Sequence, residues 1–187
     1  MGRRTALTGG IGSGKSYVCR LLRERGIEVY DCDAAAKRLM RHDEQLKERL
    51  RQLVGPDLYE DGRLNKARMA QFMLSSEENI RRVNAIVHPA VGDDFLASGA
   101  EWMECAILFE SGFDRYVDRV VCVSAPLEVR LQRVMERDHL SREKVMEWMR
   151  KQWPQEEVMA RSNFVIVNDG VAPLEEQIDR LLDYGLI

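Results

Sequence analysis

The sequence contains too few cysteines, too widely separated, for a disulfide or zinc framework. Its four cysteines form no C-x-x-C pair, and its three histidines are not spaced with them as zinc ligands. Cys105 and Cys122 fall inside apolar runs, where a small buried thiol is the ordinary explanation. We therefore expect neither disulfide bonds nor a zinc site.

The sequence also lacks an apolar leader segment and a large net charge. Its first residues run directly into a strand-like segment, and Ala6 stands where myristoylation of Gly2 would require Ser or Thr. A formal net charge of −3 predicts no general affinity for nucleic acid or for an anionic membrane. We expect a folded cytoplasmic protein, a monomer or weak homo-oligomer, with no nucleic-acid or membrane partner.

What the sequence does contain is a phosphate-binding motif near its start. Residues 9–16 read G-G-I-G-S-G-K-S, which fits G-x-x-x-x-G-K-[ST], and they follow an apolar run at residues 5–8. Glycine lets backbone N–H groups approach a polyphosphate, and the helix expected at residues 17–24 adds its positive dipole end. A flexible glycine loop between two elements is the alternative. The residues expected to bind the nucleotide are Gly10, Ile11, Gly12, Ser13, Gly14, Lys15 and Ser16, with Lys15 at the β- and γ-phosphates and Ser16 at Mg²⁺.

Apolar runs and helical segments follow one another in the order of an α/β fold. Buried parallel strands are predicted at residues 27–30, 103–109, 119–124 and 163–168. Residues 44–100 have helical spacing and no convincing strand, which predicts an inserted helical subdomain over the sheet edge. We expect this insertion to bind the substrate. A final helix is expected at residues 173–184.

Several polar residues follow the predicted strands. Asp31 and Asp33 come after the strand at residues 27–30, and the carboxyl ends of parallel strands meet at the edge where ligands bind. Glu110 follows the next predicted strand, where a P-loop protein places its second acid, or it is a solvated loop acid. His88 lies in a predicted helix break before Pro89, and it is either a cap or packing residue or a ligand contact.

A basic helical segment occupies residues 127–153. It is either a solvated face or a mobile lid over the γ-phosphate, and we place the predicted lid at residues 130–155. The basic residues of this segment are Arg130, Arg133, Arg137, Arg142, Arg150 and Lys151.

The motifs of other P-loop classes are absent. No glycine has an aspartate three positions before it, so the D-x-x-G motif of a GTPase is missing, and residues 65–68 lack the final acid of N-K-x-D. A transporter ATPase would carry a Ser-Gly-Gly signature in a longer chain. The remaining class is a small-molecule kinase, which must exclude water from the transferred phosphoryl group. We therefore predict a three-layer P-loop kinase fold over residues 1–187, with a parallel sheet flanked by helices.

An ordered set of motifs resembles the dephospho-CoA kinase family. The resemblance covers essentially the whole chain and implies ATP-dependent phosphorylation of the ribose 3′-hydroxyl of dephospho-CoA, giving CoA and ADP. Another P-loop kinase of nucleoside monophosphates or small metabolites is the alternative, and a non-catalytic nucleotide-binding module is a third possibility. The motifs that carry the resemblance lie at residues 8–16, 31–33, 58–65, 88–89, 108–112 and 165–170.

The resemblance also implies roles for individual residues. Asp33 is the expected base or orienter of the ribose hydroxyl, unless it only caps the following helix. Lys15 and Mg²⁺ neutralise developing charge, Arg133 and Arg137 are the expected lid arginines, and Asn168 is expected near the adenine of ATP. The acceptor is expected to contact Asp33, Lys37, His88 and Glu110.

Four positions depart from the pattern of that family. The departures place the lid contacts in question, although they leave the reaction class unchanged. They are Lys37, Arg130, Trp148 and Asn163.

Overall fold

A computed structural model describes residues 3–183, so the expectations for Gly2 and Tyr184 lie outside the described residues. The chain forms two compact units. The first, which we call the sheet unit, comprises the chain up to Tyr30 and from Ala100 onward. The second, which we call the helical unit, is Asp31–Gly99.

The helices and strands alternate in the sheet unit, whereas helices predominate in the helical unit. Short 3₁₀ turns lie at Pro56–Leu58 and Phe113–Tyr116. In chain order the elements are β1 (Thr5–Thr8), α1 (Lys15–Glu24), β2 (Val29–Asp31), α2 (Cys32–His42), α3 (Glu44–Val54), β3 (Tyr59–Glu60), β4 (Arg63–Leu64), α4 (Lys66–Leu74), α5 (Glu77–Ser98), β5 (Trp102–Glu104), β6 (Arg119–Ser124), α6 (Leu127–Asp138), α7 (Arg142–Met149), α8 (Gln155–Arg161), β7 (Phe164–Val167) and α9 (Leu174–Asp183).

The central sheet has the strand order β2-β5-β1-β6-β7. β1 pairs in parallel with β5 on one side and with β6 on the other, and β6 pairs in parallel with β7. All four residues of β1 are buried, as expected for a central strand with both faces covered. This arrangement confirms the predicted parallel α/β fold.

The core of the sheet unit joins the strands to helices α1 and α9. Val18, Leu21 and Leu22 occupy one face of α1, as their spacing predicts, and they are almost fully buried. Trp102 of β5 and Ile178 of α9 belong to the same apolar cluster. The cluster fixes α1, and with it the loop that leads into α1, against the sheet.

Polar side chains cap the helices of the helical unit. Asp31 accepts a hydrogen bond from the backbone N–H of Ala34 at 2.8 Å, and Asp43 does the same for Leu46 at 2.9 Å. Asn65 and Ser76 cap α4 and α5. Each cap satisfies a backbone donor that the first helical turn leaves unpaired.

Two predictions for the helical unit were wrong. The segment contains a short antiparallel hairpin of β3 and β4, in which Asp61 and Gly62 both have positive φ, as a two-residue Asp-Gly turn requires. The predicted break at residues 87–89 does not occur, because α5 continues through Pro89 to Ser98.

The sheet unit agrees more closely with prediction. β6 has the predicted bounds, whereas β5 ends at Glu104 rather than continuing to residue 109. Helix α8 was not predicted. Within residues 3–183, no helix combines the length and the apolar character needed to cross a bilayer.

Candidate active site

The glycine-rich loop lies between β1 and α1 and packs closely on its neighbours. A Cβ atom added to Gly9, whose φ is 151°, would come within 2.5 Å of the Val123 carbonyl oxygen and 2.8 Å of Ser13 Oγ. A side chain at Gly14 would overlap the Asn168 amide, and the φ of Gly14 is 88°. Only glycine therefore fits at both positions, and the close packing on Val123 and Asn168 fixes the conformation of the loop.

The amino terminus of α1 has the features of an anion-binding site. No side chain caps α1, in contrast to the capped helices α2 to α5. The Ser13 hydroxyl is buried and has no hydrogen-bond partner among the described residues. Unpaired N–H groups and the positive end of the helix dipole both favour a phosphate at this position.

Asn168 and Arg133 hold the loop from the carboxyl side of the sheet. The Asn168 amide donates to the Ser13 carbonyl at 2.8 Å, and its backbone N–H donates to the Ser124 carbonyl at 2.7 Å. Arg133 donates to the carbonyls of Gly12 and Ser13 and to Asn168 Oδ1, at 3.3 to 3.4 Å. The structure thus brings two of the predicted nucleotide-binding residues to the loop.

A cavity of about 730 Å³ opens beside this network. Gly14, Tyr17, Arg133 and Asn168 line one side, and the segment from Gly170 to Glu176 lines the other. Its volume lies within the range of small-molecule and cofactor sites.

Asp169 organises the turn at the rim of that cavity. Its carboxylate accepts hydrogen bonds from the backbone N–H groups of Ala172 at 2.8 Å and Val171 at 2.9 Å. These two bonds hold the pKa of Asp169 below its usual value. The ionised carboxylate therefore fixes the backbone between β7 and α9.

Lys15 forms an ion pair with Glu104, the last residue of β5. Both side chains are about 13 to 14% exposed, so the pair is largely shielded from water. Sequence analysis missed Glu104, because the apolar run that contains it continues to residue 109 and hides the end of the strand. Burial, followed by the charge of Glu104, raises the pKa of the nearby Cys19 thiol to about 12.

Arg130 hydrogen-bonds to the backbone of the glycine-rich loop, a role that sequence analysis did not assign. It is only 7% exposed, and its Nε donates to the Ile11 carbonyl at 3.0 Å. Its Nη1 donates to Gln155 Oε1 at 3.3 Å, and Gln152 Oε1 accepts from the Ile11 N–H at 2.8 Å. Burial lowers the pKa of Arg130.

Arg137 and Glu110 have other partners. Both ends of the Arg137 guanidinium donate to the Asp138 carboxylate, at 2.8 and 2.7 Å, and this pair lowers the pKa of Asp138. Glu110 accepts a hydrogen bond from the Trp153 backbone N–H at 2.9 Å. Among the described residues, no hydrogen bond joins either side chain to residues 9–16. Their predicted roles in catalysis and acceptor binding stay predictions.

The helical unit presents the predicted acceptor residues on α2 and α5. Asp33 lies exposed in the first turn of α2, and the cap of that helix is Asp31, so the alternative role of Asp33 as the cap is wrong. Lys37 follows one turn later and is also exposed. Residues four apart share one face of a helix, so both side chains belong to the same stripe. His88 is half-buried within α5.

A comparison with protein families identifies the chain. The model of the dephospho-CoA kinase family matches residues 4–174. The chain belongs to the dephospho-CoA kinase family. It is therefore a kinase, a transferase that uses ATP, and the predicted resemblance is confirmed.

Relatives within the family are similar along nearly their whole length. A dephospho-CoA kinase from Bacteroides fragilis is 40% identical, over 98% of this chain and 93% of the relative. A dephospho-CoA kinase from Porphyromonas gingivalis is 39% identical, over 95% of this chain and 91% of the relative.

Solved structures have the same fold. A crystal structure of a protein from Thermus thermophilus is 35% identical, with a TM-score of 0.84, over all of this chain and 98% of that one. A shikimate kinase from Acinetobacter baumannii is 15% identical, with a TM-score of 0.55, over all of this chain and 94% of that one. At this identity the second likeness concerns the fold alone, and it supports the predicted P-loop kinase architecture.

Proposed function

We propose that the protein transfers the γ-phosphoryl group of ATP to the ribose 3′-hydroxyl of dephospho-CoA, giving CoA and ADP. This reaction is the last step of CoA biosynthesis, and because it consumes ATP the proposal includes a cytoplasmic location. The observation that carries the proposal is the family match over residues 4–174. The glycine-rich loop at the uncapped start of α1 supplies the phosphate site that such a reaction requires.

The sheet unit is proposed to bind the nucleotide. The N–H groups of residues 10, 12 and 14–16 would hold the β- and γ-phosphates, because the N–H groups of Ile11 and Ser13 already donate to Gln152 Oε1 and the Gly10 carbonyl. Lys15 would leave Glu104 to contact the same phosphates. The adenine is assigned to the cavity beside Asn168 and Arg133. Since these two side chains also hold the loop, nucleotide binding and loop geometry are linked.

The residues present fit magnesium, which the proposal includes as a cofactor. Ser16 is exposed in the first turn of α1, where its hydroxyl is available as a ligand. No cluster of three or more His, Cys, Asp or Glu side chains suited to a metal occurs within residues 3–183. Magnesium retains several waters and takes few protein ligands when it binds with substrate phosphates, so a single hydroxyl suffices. When bound, the ion would neutralise charge on the phosphates.

The helical unit is proposed to bind the acceptor, with Asp33 oriented toward the reacting hydroxyl. The Asp33 carboxylate would accept the proton of the ribose 3′-hydroxyl as the oxygen bonds to the γ-phosphorus. The bond from the γ-phosphorus to the β,γ-bridging oxygen breaks, and ADP leaves with that electron pair. Lys37, His88 and Glu110 are assigned to the acceptor, and Arg137 to the developing charge on the phosphoryl group.

The test is a product assay with defined acceptors. Purified protein, ATP and magnesium are incubated with dephospho-CoA, and mass spectrometry measures CoA and ADP in equal amounts. Phosphorus NMR then locates the new phosphate at the 3′ position. AMP in place of dephospho-CoA tests the alternative of a nucleoside monophosphate kinase. The proposal would be overturned if the protein phosphorylated AMP and, in the separate reaction with dephospho-CoA, formed no CoA.

A further inference from the structure

A second cavity, of about 390 Å³, lies wholly within the helical unit. Helix α2, the strand β4 and the start of α4 contribute its walls. The side chains that line it include Lys37, Met40, Arg41, Arg63, Leu64 and Lys66. We call it the basic cavity, because four of these six residues are cationic and its lining contains no Asp or Glu.

These four cations differ from most others in the same unit. Residues 31–99 are all described, and among them Lys37, Arg41, Arg63 and Lys66 have no ion-pair partner, a state they share only with Arg49 and Arg82. The remaining basic side chains of the unit form the ion pairs Arg38–Asp94, Lys47–Glu44, Arg51–Glu48, Arg68–Asp57 and Arg81–Glu78. Four of the six unpaired lysines and arginines therefore surround one cavity.

Like charges around one cavity repel each other and focus a positive potential inside it. The fold nevertheless holds their backbones in place. The Tyr59 hydroxyl donates to the Met40 carbonyl at 2.8 Å, which ties the hairpin to the end of α2. The antiparallel backbone register, which sets Glu60 opposite Arg63, and the Asp-Gly turn together fix β4. An arrangement that concentrates unpaired positive charge in a built cavity favours a ligand with two or more negative charges.

The position of the cavity along α2 identifies the part of the ligand that it suits. Asp33, Lys37 and Arg41 follow each other at intervals of four residues, so they form one stripe, with about 6 Å of rise per interval. In a nucleotide the 5′ phosphate lies only a few bonds from the 3′ oxygen. A hydroxyl at Asp33 would leave the 5′ diphosphate within reach of Lys37, which is the next residue of the stripe and lines the cavity. Met40 and Leu64 offer apolar contact for an attached aliphatic chain.

We propose that the basic cavity binds the diphosphate of the acceptor substrate and sets the KM for that substrate. The inference rests on the proposed function, since it takes the acceptor to be a nucleotide whose 5′ diphosphate carries an aliphatic arm. Arg41, Arg63 and Lys66 are specificity-determining residues in this account, because they select acceptors by the charge at the 5′ side.

The test compares single substitutions inside and outside the cavity. Arg41→Gln, Arg63→Gln and Lys66→Gln each remove one exposed charge and leave the core intact. Arg49→Gln and Arg82→Gln are matched controls, because they remove equally exposed and unpaired charges elsewhere in the helical unit. We expect each cavity variant to raise the KM for dephospho-CoA about tenfold or more, the scale of a lost charge-assisted hydrogen bond. The kcat, the KM for ATP and both control variants should change less than about twofold.

A second measurement uses inorganic pyrophosphate as the probe. It should inhibit the wild type competitively toward dephospho-CoA, and its inhibition constant should rise in the cavity variants. An increase in the KM for ATP instead would assign the cavity to the donor and overturn the inference. Unchanged acceptor KM in variants of an enzyme that still makes CoA would also overturn it and leave the proposed function standing. A wild type that makes no CoA would reject the proposed function itself.

Discussion

Lys15, the lysine of the glycine-rich loop, is ion-paired with Glu104 at the end of β5. The register of β1 and β5 places Glu104 beside Leu7, and the loop then carries Lys15 back to the same edge of the sheet. The pair satisfies a cation that is largely shielded from water. Glu104 therefore holds Lys15 in position beside the glycine-rich loop.

The first prediction concerns the coupling of these two residues. Lys15→Ala should lower kcat on the order of 10²-fold or more, because it removes a positioned charge from the transferred phosphoryl group. Glu104→Gln should lower the free energy of unfolding, because it leaves the lysine unpaired. A double-mutant cycle measured by urea unfolding should give a coupling energy of about 0.5 to 3 kcal/mol. Additive effects of the two substitutions would contradict the structural pairing.

The second prediction separates steric overlap from backbone strain at Gly14. Gly14→Ala should abolish measurable ATP binding in calorimetry, because the new Cβ would overlap the Asn168 amide that holds the loop. Gly26→Ala is the matched control: its φ of 80° is similar to the 88° of Gly14, but no atom lies within 4 Å of the added Cβ. The control should lose about 1 to 2 kcal/mol of stability from the left-handed backbone and bind ATP normally. Equal loss of binding in both variants would refute this explanation.

Sequence analysis predicted those parts of the fold and site that are determined by residues close together along the chain. The glycine-rich loop is a contiguous motif, and β6 is an apolar run bounded by polar residues on both sides. The end of β5 was missed because Cys105 and Leu108 are buried although they follow the strand. Residues buried for packing give the same apolar pattern as a strand, so the pattern could not show where the strand stops.

The role of Arg130 could not be predicted from its neighbours in sequence. A basic residue on an amphipathic helix normally faces solvent. Arg130 is buried here by contacts with residues distant along the chain, among them Ile11 and Gln155. The hairpin of β3 and β4 was different, because the Asp-Gly pair at residues 61 and 62 is a recognisable turn signal. The prediction did not use that signal, because it followed the helical spacing of residues 44–100.

The third prediction distinguishes Asp33 from its neighbour Asp31. Asp33→Asn should lower kcat by about 10²-fold or more and leave the thermal unfolding midpoint unchanged, because Asp33 is exposed and does not cap α2. Asp31→Ala removes the bond to the Ala34 N–H and should cost about 1 kcal/mol of stability. Steady-state kinetics and thermal unfolding of both variants give the comparison. A stability loss in Asp33→Asn as large as that in Asp31→Ala would show that the proposed separation of roles is wrong.

The fourth prediction is a loss of stability at alkaline pH. Burial raises the pKa of Cys19 from 9.0 to about 12 and that of Cys122 from 9.0 to about 11. The folded state therefore favours neutral thiols, and their contribution is complete below pH 9.0 and is lost as the pH rises through 11 and 12.

Urea unfolding under reducing conditions, between about pH 8 and pH 11, measures this effect as a slope of stability against pH. The variant with Cys19→Ala and Cys122→Ala should have a shallower slope than the wild type. Some slope should remain, because burial also raises the pKa of Tyr59 to about 12. Identical slopes in the two proteins would exclude the cysteines as its source.

The fifth prediction concerns Arg130, whose buried guanidinium donates to the Ile11 carbonyl beneath the loop. Arg130→Met keeps an unbranched side chain but leaves that carbonyl and Gln155 without their donor, so it should destabilise the protein by about 1 to 3 kcal/mol. Because the loop loses its support, the KM for ATP should rise while the KM for dephospho-CoA stays the same. Arg81→Met, which breaks an exposed pair with Glu78 outside the predicted lid, is the control and should alter neither property. If Arg130→Met lowered stability without changing the KM for ATP, Arg130 would stabilise the packing of α6 and α8 rather than the loop conformation that binds the nucleotide.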